Sequence, residues 1–147
     1  MKNSILVLAF VCLFVSSSVL VAQTKMEHPA KVSQSQTMAL EHVAAIKDNP
    51  AMEMTMMKNH SQKAGEYLVS SGEQMSQMEK NMTANEMNSS AYQSEKKYHT
   101  DAVMHQNELM AEINKMPMDQ AKIKEHATKL HECISKSEMK NSKMKKK

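Results

Sequence analysis

Between Met52 and Met82 the apolar positions recur at helical spacing, with no proline to interrupt them. At about 100° per residue, Met56, Met57, His60, Ala64, Tyr67, Ser71, Met75, Met78 and Met82 fall on one stripe. Glu53, Lys58, Lys63, Glu66, Glu73, Glu79 and Lys80 lie mostly off it. This pattern predicts one long amphipathic helix. Its inward face carries thioethers and one central imidazole where most helices carry Leu, Ile and Val. Gly65 and Gly72 interrupt it, each weakening the helix by up to about 1 kcal/mol, so bending or fraying is expected there.

The same reading predicts three further helices. The first follows a polar lead-in from Thr24 to Gln36, with a start as early as Pro29 or Lys31 as the alternative, and runs to about Asp48, with Val32, Ala39, Val43 and Ile46 on one stripe and Met38 and His42 on its flank. Asn49 and Pro50 end it, because a residue before proline avoids the helical region and proline suits the first turn of the next helix. Thr83 to Ser90 is polar and rich in cap formers, which marks the next turn. A helix over about Ala91 to Lys115 aligns Tyr92, His99, Val103, Gln106, Met110 and Ile113, and Pro117 breaks it. The last, about Met118 to Met139, presents Ile123, Ala127, Leu130 and Ile134, with His126 and Cys133 along one edge. No stretch alternates strongly enough for a strand.

The two halves also resemble each other. Ile46, Pro50, Met52, Lys58, His60, Lys63 and Glu66 recur in order as Ile113, Pro117, Met118, Lys124, His126, Lys129 and Glu132. A duplicated αα-hairpin, turning at a proline in each half, accounts for this order. The fold class expected is therefore all-α, an antiparallel four-helix bundle built from two duplicated αα-hairpins.

Composition adds a leader and a compartment. Residues 1–22 combine Lys2, an apolar run from Ile5 to Val15 and a small-residue exit ending at Ala22, the layout of a secretory signal peptide. The remaining divisions are a flexible lead-in over 23–36, a helical domain over 37–139 and a basic tail over 140–147. A periplasmic or secreted location is expected, with no stable membrane span once the leader is cleaved. After Ala22 the chain carries 18 Lys against 16 Asp plus Glu, and no Arg. Five of those lysines lie in the tail, leaving the body at −3 and arguing against a nucleic-acid partner. Cys133 is then the sole cysteine, so no internal disulfide can form. It is a buried thiol, a metal ligand or the seam of a dimer. Four Leu, four Ile, four Val and no Phe or Trp follow the leader, against 16 Met. Thioethers must fill gaps that branched residues fill elsewhere, which gives a pliable, marginally stable helical protein.

Catalysis finds little support: the chain has no Gly-rich phosphate loop, no His-Glu-x-x-His and no Cys-x-x-Cys. An enzyme is not expected. Glu-x-x-His pairs that would build a di-iron bundle are nearly absent, and few aromatic residues remain to wall a haem. Soft-metal chemistry has more to work with. Folding the first hairpin at Asn49 and Pro50 sets His42 near Met57 and Met38 near His60, so that Met38, His42, Met56 or Met57, and His60 share one layer. Thioether sulfur with imidazole nitrogen suits Cu(I) or Ag(I), whereas hard ions need carboxylates. Folding about residue 87 sets His99 opposite Met75 and Met78, and about residue 116 sets His105 or Gln106 opposite His126. Several such sites along one protein suit a carrier or buffer.

The run Asp48-Asn49-Pro50-Ala51-Met52-Glu53-Met54-Thr55-Met56-Met57-Lys58-Asn59-His60 resembles the methionine-rich helical segments of exported bacterial proteins that handle copper or silver, including silver-binding periplasmic proteins of metal-resistance systems. The resemblance lies in composition and spacing, and the present chain has fewer Met-x2-His repeats and a more regular four-helix layout. It implies Cu(I) or Ag(I) as cargo, Met57 and His60 as ligands, and a metal efflux or chaperone partner. The expected function is metal buffering or tolerance. Two other readings start from the same residues. One is a chaperone-like or envelope-stress protein, without metal, whose flexible Met face grips apolar segments. The other is sacrificial scavenging of oxidants by exposed thioethers.

Overall fold

The computed structural model describes residues 29–144, with side chains described through residue 137. The leader over 1–22 and residues 23–28 of the lead-in fall outside that range, whereas residues 29–36, expected to be flexible, are helical, with Val32 and Gln36 buried against other helices. All regular structure among the described residues is helical, with no strand. Helix α1 covers residues 29–48, followed by α2 (Met54–Glu79), the short α3 (Ala84–Met87), α4 (Ser90–Ile113) and α5 (Gln120–Met144). No helix among the described residues is long and apolar enough to cross a membrane.

Local chemistry marks the turn after α1 and the starts of α3, α4 and α5. After α1, the Asn49 amide donates to the Ala45 carbonyl and the Met52 amide to the Asn49 carbonyl, closing a turn around Pro50. Helix α2 therefore starts two residues later than the stripe alone predicts, at Met54. The Thr83-x2-Glu86 pattern forms a capping box for α3: the Thr83 hydroxyl accepts from the Glu86 amide, and the Glu86 carboxylate accepts from the Thr83 amide. Ser89 caps α4 by accepting from the Tyr92 amide at 3.3 Å. Asp119 caps α5 by accepting from the amides of Ala121 and Lys122. The last helix extends past the expected Met139 to Met144, so most of the basic stretch after residue 139 is helical.

Four helices contribute to one core. Ala39, Val43 and Ile46 of α1 join Met57, Ala64 and Leu68 of α2, Ala102, Leu109 and Ile113 of α4, and Ile123, Ala127, Leu130 and Ile134 of α5. A second cluster unites Val32, Met75 and Tyr92, with Met78 and Met82 packed against it. Burying side chains of this size supplies roughly 1.5–3 kcal/mol each for the larger aliphatics. Of the methionines, Met57 and Met75 alone are fully buried among the described side chains. The sequence predicts a core rich in sulfur. The observed interior is instead mostly Ile, Leu, Val and Ala, and most thioethers lie at its margins or in solvent.

Buried polar contacts pin the helices to one another. The Gln36 side-chain amide donates to the Ser137 hydroxyl at 2.7 Å, joining α1 to α5. The Gln106 amide donates to the Ser61 carbonyl at 2.6 Å and reaches its hydroxyl at 3.1 Å, joining α4 to α2. Gly65 and Gly72 make room for such contacts. A Cβ on Gly65 would meet Gln106 Nε2 at 3.3 Å, and one on Gly72 would meet His99 Cε1 at 3.0 Å. Helix α2 is unbroken at both glycines, where the sequence predicts bending or fraying. They lie where α4 side chains come closest.

Candidate functional site

Two groups of histidines converge across helix pairs. In the first, His42 on α1 and His60 on α2 bring their Nδ1 atoms to 3.0 Å. Their ring centroids are 5.2 Å apart with the planes tilted by 54°. Tyr67, two turns along α2, stacks on the His42 ring at 5.9 Å with an 11° interplanar angle. Both histidines are half-buried. Two Nδ1 atoms this close cannot both carry protons, so one donates and the other accepts. Burial, followed by repulsion from His60, holds His42 below its ordinary pKa of 6.5. The neutral imidazole is the form that can ligate a metal.

The methionines expected beside this pair are placed differently from one another. Met38, one turn before His42, is half-buried. Met57, one turn before His60, is fully enclosed in the main core. Met56 is 53% exposed. Consecutive residues on a helix diverge by about 100°, so a stripe drawn from sequence is wide enough to include a position that faces water.

The remaining predicted site residues lie in other surroundings. Met75 and Met78 belong to the second apolar cluster with Val32 and Tyr92. The His99 Nε2 atom is 2.9 Å from the Leu68 carbonyl, seven residues before the expected partner Met75. The connection between α2 and α4 therefore bends earlier than residue 87. Tyr92 completes the same end by donating its hydroxyl to Glu79 at 2.8 Å, beside the Lys96–Glu79 ion pair at 2.8 Å. Hydrogen bonds from Lys96 and Tyr92 hold the Glu79 carboxyl below the usual range, while burial and Glu79 push the Tyr92 phenol up.

His126 belongs to the second histidine group. Its Nδ1 lies 3.1 Å from Glu108 Oε2, and His105 Nδ1 lies 2.7 Å from the same oxygen. The hydrogen bond from His105 is the largest influence lowering the Glu108 pKa. The sequence places His105 or Gln106 opposite His126 but does not single out Glu108. Its signal is a reversed spacing, His105-x2-Glu108, which puts imidazole and carboxylate on one helical face as surely as Glu-x2-His does.

Cys133 is a free, half-buried thiol packed against the main core. Burial pushes its pKa up, which suits an inert side chain. Compared with known protein families, characterised proteins and solved structures, the chain matches none.

Proposed function

We propose that the protein is an exported helical carrier or buffer of Cu(I) or Ag(I), holding the ion between His42 and His60. The observation that carries this reading is the 3.0 Å approach of the two Nδ1 atoms from separate helices. Two nitrogens bound at about 2.0 Å to one tetrahedral ion stand about 3.3 Å apart, so a small ring movement admits a metal where the shared proton now sits. Met38 and Met57, one helical turn before each histidine, supply thioether sulfur. That donor set favours soft monovalent ions over Ca²⁺ or Mg²⁺. The function is metal buffering or tolerance in the periplasm or outside the cell, with hand-over to an efflux or chaperone partner.

The scaffold in this reading is an antiparallel four-helix bundle of two duplicated αα-hairpins. Contact numbering supports it: Ser35 meets Ser70 while His42 meets His60, and Gln106 meets Ser61 while His99 meets Leu68. Each rising number on one helix is matched by a falling number on its neighbour. The repeat aligns His60 with His126, and each of these two histidines faces a histidine-bearing stretch of the helix across its hairpin, His42 in one case and His105 with Glu108 in the other. Native mass spectrometry with Cu(I) and a limiting thiol competitor tests the function. Stoichiometric binding that His60→Ala abolishes supports it, and retained binding in that variant refutes it.

A second reading keeps the scaffold and drops the metal. Val69, Val103 and Met104 are exposed, and Val69 and Val103 flank a groove of about 250 Å³ between α2 and α4 lined also by Leu68 and Met110. Such a surface suits a chaperone-like or envelope-stress protein that grips apolar segments. Suppression of client aggregation by protein that binds no Cu(I) would favour it.

A further inference from the structure

The His105, Glu108 and His126 group differs chemically from the His42–His60 pair. One ligand atom from each of the three residues lies within 4.8 Å of the others. The carboxylate oxygen sits between the two imidazoles, at 2.7 Å from one Nδ1 and 3.1 Å from the other. Helix α4 supplies His105 and Glu108 three residues apart on one face, and α5 supplies His126 from across the hairpin. The two imidazoles are 16% and 19% exposed, whereas Glu108 is 42% exposed. The nitrogens are thus held by packing, and the oxygen side stays open to water and to an entering ion.

From this geometry we infer that His105, Glu108 and His126 form a second metal site, taking a divalent borderline cation of the Zn²⁺ class. Two imidazole nitrogens and one carboxylate oxygen are the three-ligand set of open zinc sites, with water completing the coordination shell. Oxygen in place of sulfur shifts preference from monovalent soft ions to divalent ones. Both imidazole nitrogens stand closer to the Glu108 oxygen, at 2.7 and 3.1 Å, than the roughly 3.3 Å spacing a tetrahedral ion imposes, so that oxygen must draw back by a few tenths of an ångström. Its open side permits that. Each imidazole binds as the neutral ring, and the Nδ1 proton now directed at Glu108 passes to Nε2 or to water. Glu125, a further carboxylate coupled electrostatically to His126 and Glu108, is held by Lys129 at 2.6 Å. The two sites share no residue, so the divalent site stands whether or not Cu(I) binds between His42 and His60.

Titration calorimetry of the full chain with Zn²⁺ at neutral pH tests it. The expected result is one Zn²⁺ bound per chain, with affinity reduced more than about tenfold by Glu108→Gln and by His126→Gln and unchanged by His60→Gln. Glu108→Gln keeps the shape of a partly exposed side chain, so unchanged far-ultraviolet circular dichroism separates ligand loss from unfolding. The inference is overturned if Zn²⁺ does not bind, if Glu108→Gln binds it as tightly as the parent, or if His60→Gln abolishes binding. Cu(I) titration of the same variants keeps the two sites apart. Loss of Cu(I) affinity in His60→Gln alone supports the soft site whatever Zn²⁺ does at Glu108.

Discussion

The Nδ1 atoms of His42 and His60 face each other at 3.0 Å across α1 and α2, and Tyr67 stacks on the His42 ring. Tyr67 restricts one ring and so preserves the approach. Tyr67→Ala should therefore weaken Cu(I) binding without removing a donor, by about 1 kcal/mol or somewhat less if the lost ring contact is the main effect. Competition against a Cu(I) chelator measures this. Unchanged affinity would mean that the stack does not position His42.

Sulfur as ligand and sulfur as packing can be separated by volume-conserving changes. Met57→Leu and Met75→Leu should each cost less than about 1.5 kcal/mol of stability, because both side chains are fully or almost fully buried and Leu nearly matches Met in volume. Cu(I) affinity should fall only in Met57→Leu, since Met75 packs with Val32 and Tyr92 in the other cluster. Denaturant unfolding and Cu(I) competition on both variants give the answer.

Stability of the metal-free protein should depend on pH through His42 and His131. Both are held below their ordinary pKa of 6.5, chiefly by burial. His60 and Lys63 further disfavour charge on His42 while Glu41 favours it. Lys47 disfavours charge on His131 while Asp48 and Glu132 favour it. Near and below pH 6.5 the unfolded chain binds protons that the folded chain resists, so stability rises with pH. The stabilisation is complete above that value and is lost as pH falls towards the depressed folded values. Thermal unfolding followed at several pH values should show the midpoint falling on acidification, and His131→Gln should flatten part of the fall.

Gly72 and His99 should be energetically coupled. In a helix interior Gly→Ala normally gains about 1 kcal/mol. Here the added Cβ would meet His99 Cε1 at 3.0 Å, and that ring is engaged with the Leu68 carbonyl. Gly72→Ala should therefore gain little or lose stability in the parent, yet gain about 1 kcal/mol in a His99→Ala background. A double-mutant cycle by chemical denaturation reads the coupling, and additivity would contradict it.

Much of this arrangement is legible in the residues themselves. Pro50 fixes where the first hairpin turns, and counting back from it brings His42 within one helical turn of His60. The aliphatic positions Val43, Ile46, Ile113, Ile123 and Leu130 announce the core by their spacing, and all are buried, whereas on α4 the predicted Val103 and Met110 are exposed and half-buried and Ala102 and Leu109 take the interior instead. Other features depend on information that periodicity lacks. A stripe drawn at helical spacing cannot separate enclosed Met57 from exposed Met56, because neighbouring aliphatics decide which side chain the core admits. Thr83-x2-Glu86 carries a legible capping signal, but that it nucleates a separate turn of helix follows from the connection it must span. Gly65 and Gly72 read as weak points in isolation. Their use emerges only when Gln106 and His99 arrive from α4. Glu108 escapes a search for Glu-x2-His, since its partners are His105 in reversed order and His126 on another helix.

The most direct test of the soft-metal account is the X-ray absorption spectrum of Cu(I) bound to the full chain at one equivalent. The nearest shell should contain imidazole nitrogens from two histidines together with thioether sulfur, and the imidazole scattering should fall in His42→Ala and in His60→Ala. A shell of sulfur alone, or a spectrum identical in both variants, would contradict the assignment of the ion to these two rings.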